Sequence, residues 1–187
     1  AISAVSGGAL GAAVTYAALA DSQSKSADTK EPPCNREGLK DRDWFAAVGG
    51  GLEPTTNPKM SWKACLQLLV AGDFLSPVVV GLTRDPLPFR REDRAALLEK
   101  SWEKRYLRYT QSKDAVTKGT LAKALTAIRR DVEKVEKGWL PILLLNGTSV
   151  EDGKRIVTSD IDMSIHLGVA MDRVFYDAYD FRKLLAS

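Results

Sequence analysis

Serine 6 stands where an apolar stretch gives way to small residues: Ala1-Ile2-Ser3-Ala4-Val5, then Ser6-Gly7-Gly8, then Ala9-Leu10-Gly11-Ala12. The segment Ala4-Val5-Ser6-Gly7-Gly8 differs at one position from the G-x-S-x-G nucleophile elbow, in which a serine occupies a strained turn between a strand and a helix. The chemistry of that arrangement is acyl transfer through a covalent intermediate. The serine hydroxyl attacks a carbonyl, and the backbone N–H of Gly7 points at the developing oxyanion. The helix N-terminus adds its positive dipole end. Small residues two before and two after the serine avoid side-chain collision. Ala4 replaces the first glycine of the pattern and demands a slightly wider turn. Two other readings fit the same residues. With Ser6 in the first place, Gly8 and Gly11 complete a G-x-G-x-x-G nucleotide-binding turn, though no acidic strand end follows. Simple close packing of a small-residue helix is the other.

The elements that must position this serine read as follows. Residues 1–5 are the end of a buried strand, and residues 9–20 a helix of small residues able to pack close to a sheet. Residues 21–43 are polar, contain Pro32-Pro33 and read as a loop or insertion. Gly49-Gly50-Gly51 and residues 54–58 mark a further loop, and residues 60–69 a helix with Trp62, Leu66 and Leu69 on one face. Residues 73–88 are apolar with three prolines. Two amphipathic helices follow, over 91–109 with Leu98, Trp102, Tyr106 and Tyr109 at helical spacing, and over 121–137 with Leu121, Leu125, Ile128, Val132 and Val135 inward. After Trp139-Leu140-Pro141, residues 142–145 are a core strand. Asp152-Gly153, the favoured pair for a tight hairpin, turns it into a partner strand near 154–159. Residues 171–185 read as helical.

Composition bounds the function. The chain has 187 residues, hydrophobic content 44% and charged content 27%, as in an ordinary globular domain. Between Arg84 and Asp114, nine Lys/Arg face six Asp/Glu. That balance is too weak for a nucleic-acid footprint and reads as a solvated helix face, with an anionic membrane surface as the sharper alternative. Cys34 and Cys65 are the two cysteines, without metal-ligand spacing and without an implied disulfide framework. His166 is the single histidine, so sites needing two are excluded, and on its apolar stretch it reads as a packing or surface residue. No metal or cofactor is expected. The uncharged run 1–20 lacks a basic n-region and is diluted by Ser and Gly, which argues against a signal peptide or a span. The stripe Trp102, Tyr106, Tyr109 reads as packing, with a lipid-chain wall as the alternative.

Three stretches in order resemble the bacterial branch of the patatin-like phospholipase family. They are Ser3-Ala4-Val5-Ser6-Gly7-Gly8-Ala9-Leu10-Gly11-Ala12, the segment from Phe74-Leu75-Ser76-Pro77 through Gly81-Leu82 and Arg84-Asp85 to Leu98-Glu99, and Trp139-Leu140-Pro141 through Asn146-Gly147-Thr148-Ser149-Val150-Glu151-Asp152-Gly153. The resemblance implies an α/β fold, a patatin-like α/β/α three-layer sandwich that is incomplete in this chain. Residues 1–187 would form one partial hydrolase domain, with a loop-rich insertion over 21–59 and a helical one over 91–137. It also implies a Ser–Asp dyad with Ser6 as nucleophile and Gly7 as an oxyanion donor, acting on lipid or other acyl esters. The family's glycine-rich oxyanion loop would precede Ala1. Its dyad aspartate lies in an Asp-Gly pair. The only such pair here is Asp152-Gly153, which the hairpin claims, so the base is expected beyond Ser187 and the chain alone is expected to have little esterase activity. Cytoplasmic or peripheral-membrane location is favoured, with any anchor outside this segment, and the oligomeric state is left open. The competing expectation is a non-catalytic interaction module built on the charged helices, or an inactive remnant of such a hydrolase.

Overall fold

The computed structural model describes residues 1–25, 31–34, 60–72, 76, 79, 94–110, 119–161 and 178–181. The chain divides into two compact units, one from Ala1–Ala27 with Lys123–Ser187, the other Asp28–Ala122.

The first unit is built on a four-stranded sheet in the order β1 (Ile2–Val5), β2 (Leu143–Thr148), β3 (Arg155–Ser159), β4 (Ala178–Asp180). β1 and β2 are parallel, β2 and β3 antiparallel, β3 and β4 parallel. Helix α1 (Gly7–Lys25) connects out of β1. Its Val14, Tyr16, Ala17, Ala18 and Ala20 are buried. The many alanines let it lie close on the sheet, where Tyr16 and Ala20 share a core with Leu143, Leu140 and Ile128 and Val132, and Ile2 and Leu145 pack against it. Strand alternation then assigns the faces. Ile2 and Leu143 turn toward α1, and Ser3 and Val5 turn away and are exposed. The general α/β class is therefore present, as a mixed sheet with the described helices of this unit on one face.

Asp160, just past β3, ties this unit together. Its carboxylate accepts from the Tyr16 hydroxyl at 2.6 Å, from Arg129 Nε at 2.6 Å and from the Leu143 backbone N–H at 2.9 Å. Arg129, on the helix Leu125–Glu133, also donates to the Pro141 carbonyl at 2.9 Å. Burial, then the hydrogen bond to Asp160, push the Tyr16 hydroxyl well above the usual tyrosine range. A raised pKa in the folded state means the stability is fully present below the unfolded value, about 10 for tyrosine, and is lost as pH rises beyond it. We expect the denaturation midpoint to fall more steeply above about pH 10 in the wild type than in Tyr16→Phe. Equal slopes would contradict the arrangement.

In the second unit, α2 (Trp62–Val70) is capped by Ser61, whose hydroxyl accepts from the Ala64 N–H at 3.2 Å. It packs on α3 (Arg94–Thr110). Arg105 of α3 donates to the Leu68 and Ala71 carbonyls at 2.9 and 2.6 Å, satisfying the C-terminal end of α2. Tyr106 and Tyr109 are buried. A 3-10 turn (Thr120–Ala122) ends the unit, and α4 (Leu125–Glu133) belongs to the first.

Five expectations are corrected. β1 is not the buried strand expected over residues 1–5: only its α1-facing side is covered, and Ser3 and Val5 are exposed. α1 runs to Lys25 rather than ending at 20, because Gln23 is buried and pairs with the Trp139 backbone, its Oε1 accepting from the Trp139 N–H at 2.5 Å. The helix expected over 121–137 is shorter, Leu125–Glu133 behind the 3-10 turn. Within 171–185, the described residues 178–180 form β4 rather than helix, drawn by parallel pairing to β3. Cys34 and Cys65 are joined in a disulfide, with Cα atoms 5.6 Å apart across a separation of 31 residues. No spacing rule signals such a pair. Closing a loop of that size stabilises by about 3–4 kcal/mol in the chain-entropy account. Reduction, or Cys34→Ala, is expected to lower stability by about that amount, read by urea denaturation with and without reductant; no shift would contradict the bond. No described helix is long and apolar enough to cross a membrane.

Candidate active site

Ser6 occupies the turn between β1 and α1, with φ 55°. For a residue with a Cβ this left-handed conformation is strained. Its carbonyl accepts from the Ala9 N–H at 2.9 Å, which starts the helix. Ser6 is exposed, as are Gly7 and Gly8. A Cβ added at Gly7 or Gly8 meets no atom within 4 Å, so crowding among the described residues does not account for these glycines. Gly7 is the first residue of α1, and at that position a backbone N–H has no partner within the helix. The strand, the strained serine and the helix therefore stand in the order that the sequence suggested.

The site lies at the carboxyl ends of β1 and β2, the edge of a parallel pair where ligands bind in α/β sheets. There β1 stops at Val5, paired with Asn146, while β2 continues as Gly147 and Thr148. Nearby is an open cleft of about 670 Å³ lined by Ser3, Val5, Asn146, Thr148, Lys154 and Arg155 among others; Ser6 is not one of its lining residues. Its charged lining residues are the two cations Lys154 and Arg155. Lys154 donates to the Tyr179 hydroxyl at 3.1 Å and lies 3.5 Å from the Asp152 carboxylate.

The hairpin stands where expected, but a four-residue loop over 150–153 makes it rather than a two-residue Asp152-Gly153 turn. The Ser149 N–H donates to the Lys154 carbonyl at 2.8 Å, the Gly153 N–H donates back to the Ser149 carbonyl at 3.0 Å, and Gly153 alone in the loop takes a positive φ, 70°. The Asp152 carboxylate accepts from the Tyr179 hydroxyl at 2.7 Å and the Lys154 N–H at 3.1 Å. The Tyr179 bond first, then one from Ser149, holds it down at about 2. A carboxylate that acidic is a poor general base near neutral pH. Among the described residues no carboxylate or imidazole hydrogen-bonds to the Ser6 hydroxyl. His166 lies outside the described residues. No described group of His, Cys, Asp or Glu could hold a metal ion.

Two residues, one beside the elbow and one in the core beneath α1, carried no local signal. Asn146 continues an apolar strand, and Asp160 follows one; only the tertiary structure supplies their partners. Compared with family models, with curated proteins and with solved structures, the chain matches none.

Proposed function

We propose that the protein is a serine acylhydrolase in which Ser6 forms a covalent acyl intermediate with an ester substrate. The observation that carries this reading is the positive φ of Ser6 at a strand-to-helix turn. That strain aims a serine hydroxyl out of the sheet, and it is what a nucleophile elbow requires. Ser6 attacks the ester carbonyl, the Gly7 N–H and the end of α1 hold the oxyanion, and the alcohol leaves. Water then attacks the acyl-enzyme and releases the acid. The proton is taken by an aspartate outside the described residues, in a patatin-like Ser–Asp dyad within an α/β/α sandwich. The substrate is a lipid or other acyl ester reached at a peripheral membrane surface. The Cys34–Cys65 bond favours an oxidising compartment over the cytoplasm.

The test is hydrolysis of nitrophenyl butyrate by the native protein before and after treatment with a fluorophosphonate. Turnover that disappears on treatment supports the reading. Turnover that survives the treatment refutes it.

A further inference from the structure

β1 makes its last attachment to β2 at the pair Val5 and Asn146; beyond it the chain leaves the sheet at Ser6. The Asn146 side chain reaches back across that final rung. Its Nδ2 donates to the Ser3 hydroxyl at 3.0 Å, to the Ala4 carbonyl at 3.2 Å and to the Leu144 carbonyl of its own strand at 3.3 Å. Two amide hydrogens are shared among three acceptors, so no single bond is strong. Two of the three nevertheless hold the residues directly before Val5 and Ser6.

A strained conformation persists only where the surrounding structure fixes both flanks. Downstream of Ser6 the fixing is done by α1, through the bond from the Ala9 N–H to the Ser6 carbonyl. Upstream it falls to the end of β1. Asparagine is depleted in strands, and this one interrupts the run Leu143-Leu144-Leu145 that an aliphatic residue would extend. Its donors give the reason for its presence. We infer that Asn146 is a positioning residue that holds the elbow in its strained form. The consequence for reactivity rests on the reading of Ser6 as a nucleophile; the mechanical claim stands apart from it.

The experiment is a double-mutant cycle on the folding equilibrium, combining Ser6→Gly with Asn146→Leu, which keeps the branch at Cγ and removes the donors. Asn146→Ala serves as a second background should leucine fit poorly. In the wild-type background glycine relieves the strain and raises the folding constant about fivefold. In both Asn146 backgrounds the gain is expected to shrink to below about twofold, because Ser6 there relaxes by itself. Fluorophosphonate labelling of Ser6 should slow roughly tenfold or more in the Asn146 variants, since the hydroxyl and the Gly7 N–H lose their alignment. An undiminished gain in both backgrounds overturns the inference, whatever the labelling rate. Coupling in a protein whose Ser6 never labels leaves the inference standing and removes the nucleophile.

Discussion

Ser6→Gly is expected to lower ester turnover of the native protein by about 10⁴- to 10⁶-fold while making the fold more stable. Ser6→Ala shares the first effect and lacks the second. Both remove the attacking oxygen, so the covalent route is closed and only binding and the oxyanion donor remain. They differ in the backbone. Alanine keeps the Cβ that makes φ 55° costly at this position, and glycine does not. The glycine variant should therefore be the more stable of the two by about 1 kcal/mol. Stability gained at the same residue where activity is lost is the mark of a strained functional site. Turnover surviving at more than a tenth of wild type in either variant, or a glycine variant less stable than alanine, would contradict the account.

Asp160→Ala is expected to cost about 3–5 kcal/mol, the range for removing one member of a buried ion pair. Asp160 has a fully buried side chain facing Arg129. Its removal leaves the Arg129 guanidinium, the Tyr16 hydroxyl and the Leu143 N–H without their acceptor. Water cannot easily replace it, because the core residues Tyr16 and Leu143 are fully buried. Tyr16 lies on the helix that begins at the elbow, so the loss loosens α1 against the sheet as well as weakening the fold. Asp160→Asn, which keeps the shape and one acceptor oxygen, should cost less than alanine. Urea denaturation reads both, and a loss below about 1 kcal/mol for alanine would show the cluster to be no more than a surface pair.

The parts of this molecule that are legible in its sequence are those decided by neighbours along the chain. Ser6 sits between an apolar strand and a small-residue helix, and every feature of the turn is within five residues of it. Asp152-Gly153 lies between two short apolar runs, and the observed strands Leu143–Thr148 and Arg155–Ser159 flank it. Tyr106 and Tyr109, at helical spacing, are buried on α3. What resisted reading depends on distant partners. Gln23 is polar, yet it extends α1 because a backbone amide at Trp139 receives it. Residues 178–180 lack the length of a recognisable strand and form one because β3 offers an edge. Cys34 meets Cys65 through the packing of the second unit. Asp160 is one acid among many until Tyr16, Arg129 and Leu143 converge on it.

The central claim is that Ser6 is a covalent nucleophile, and site mapping of a fluorophosphonate adduct tests it most directly. The native protein is labelled, digested and sequenced by mass spectrometry beside its Ser6→Ala variant. The account predicts a single adduct, on Ser6, absent from the variant and blocked by prior incubation with an acyl ester. An adduct on any other residue, or an unmodified Ser6 in protein that is hydrolysing ester, would contradict it.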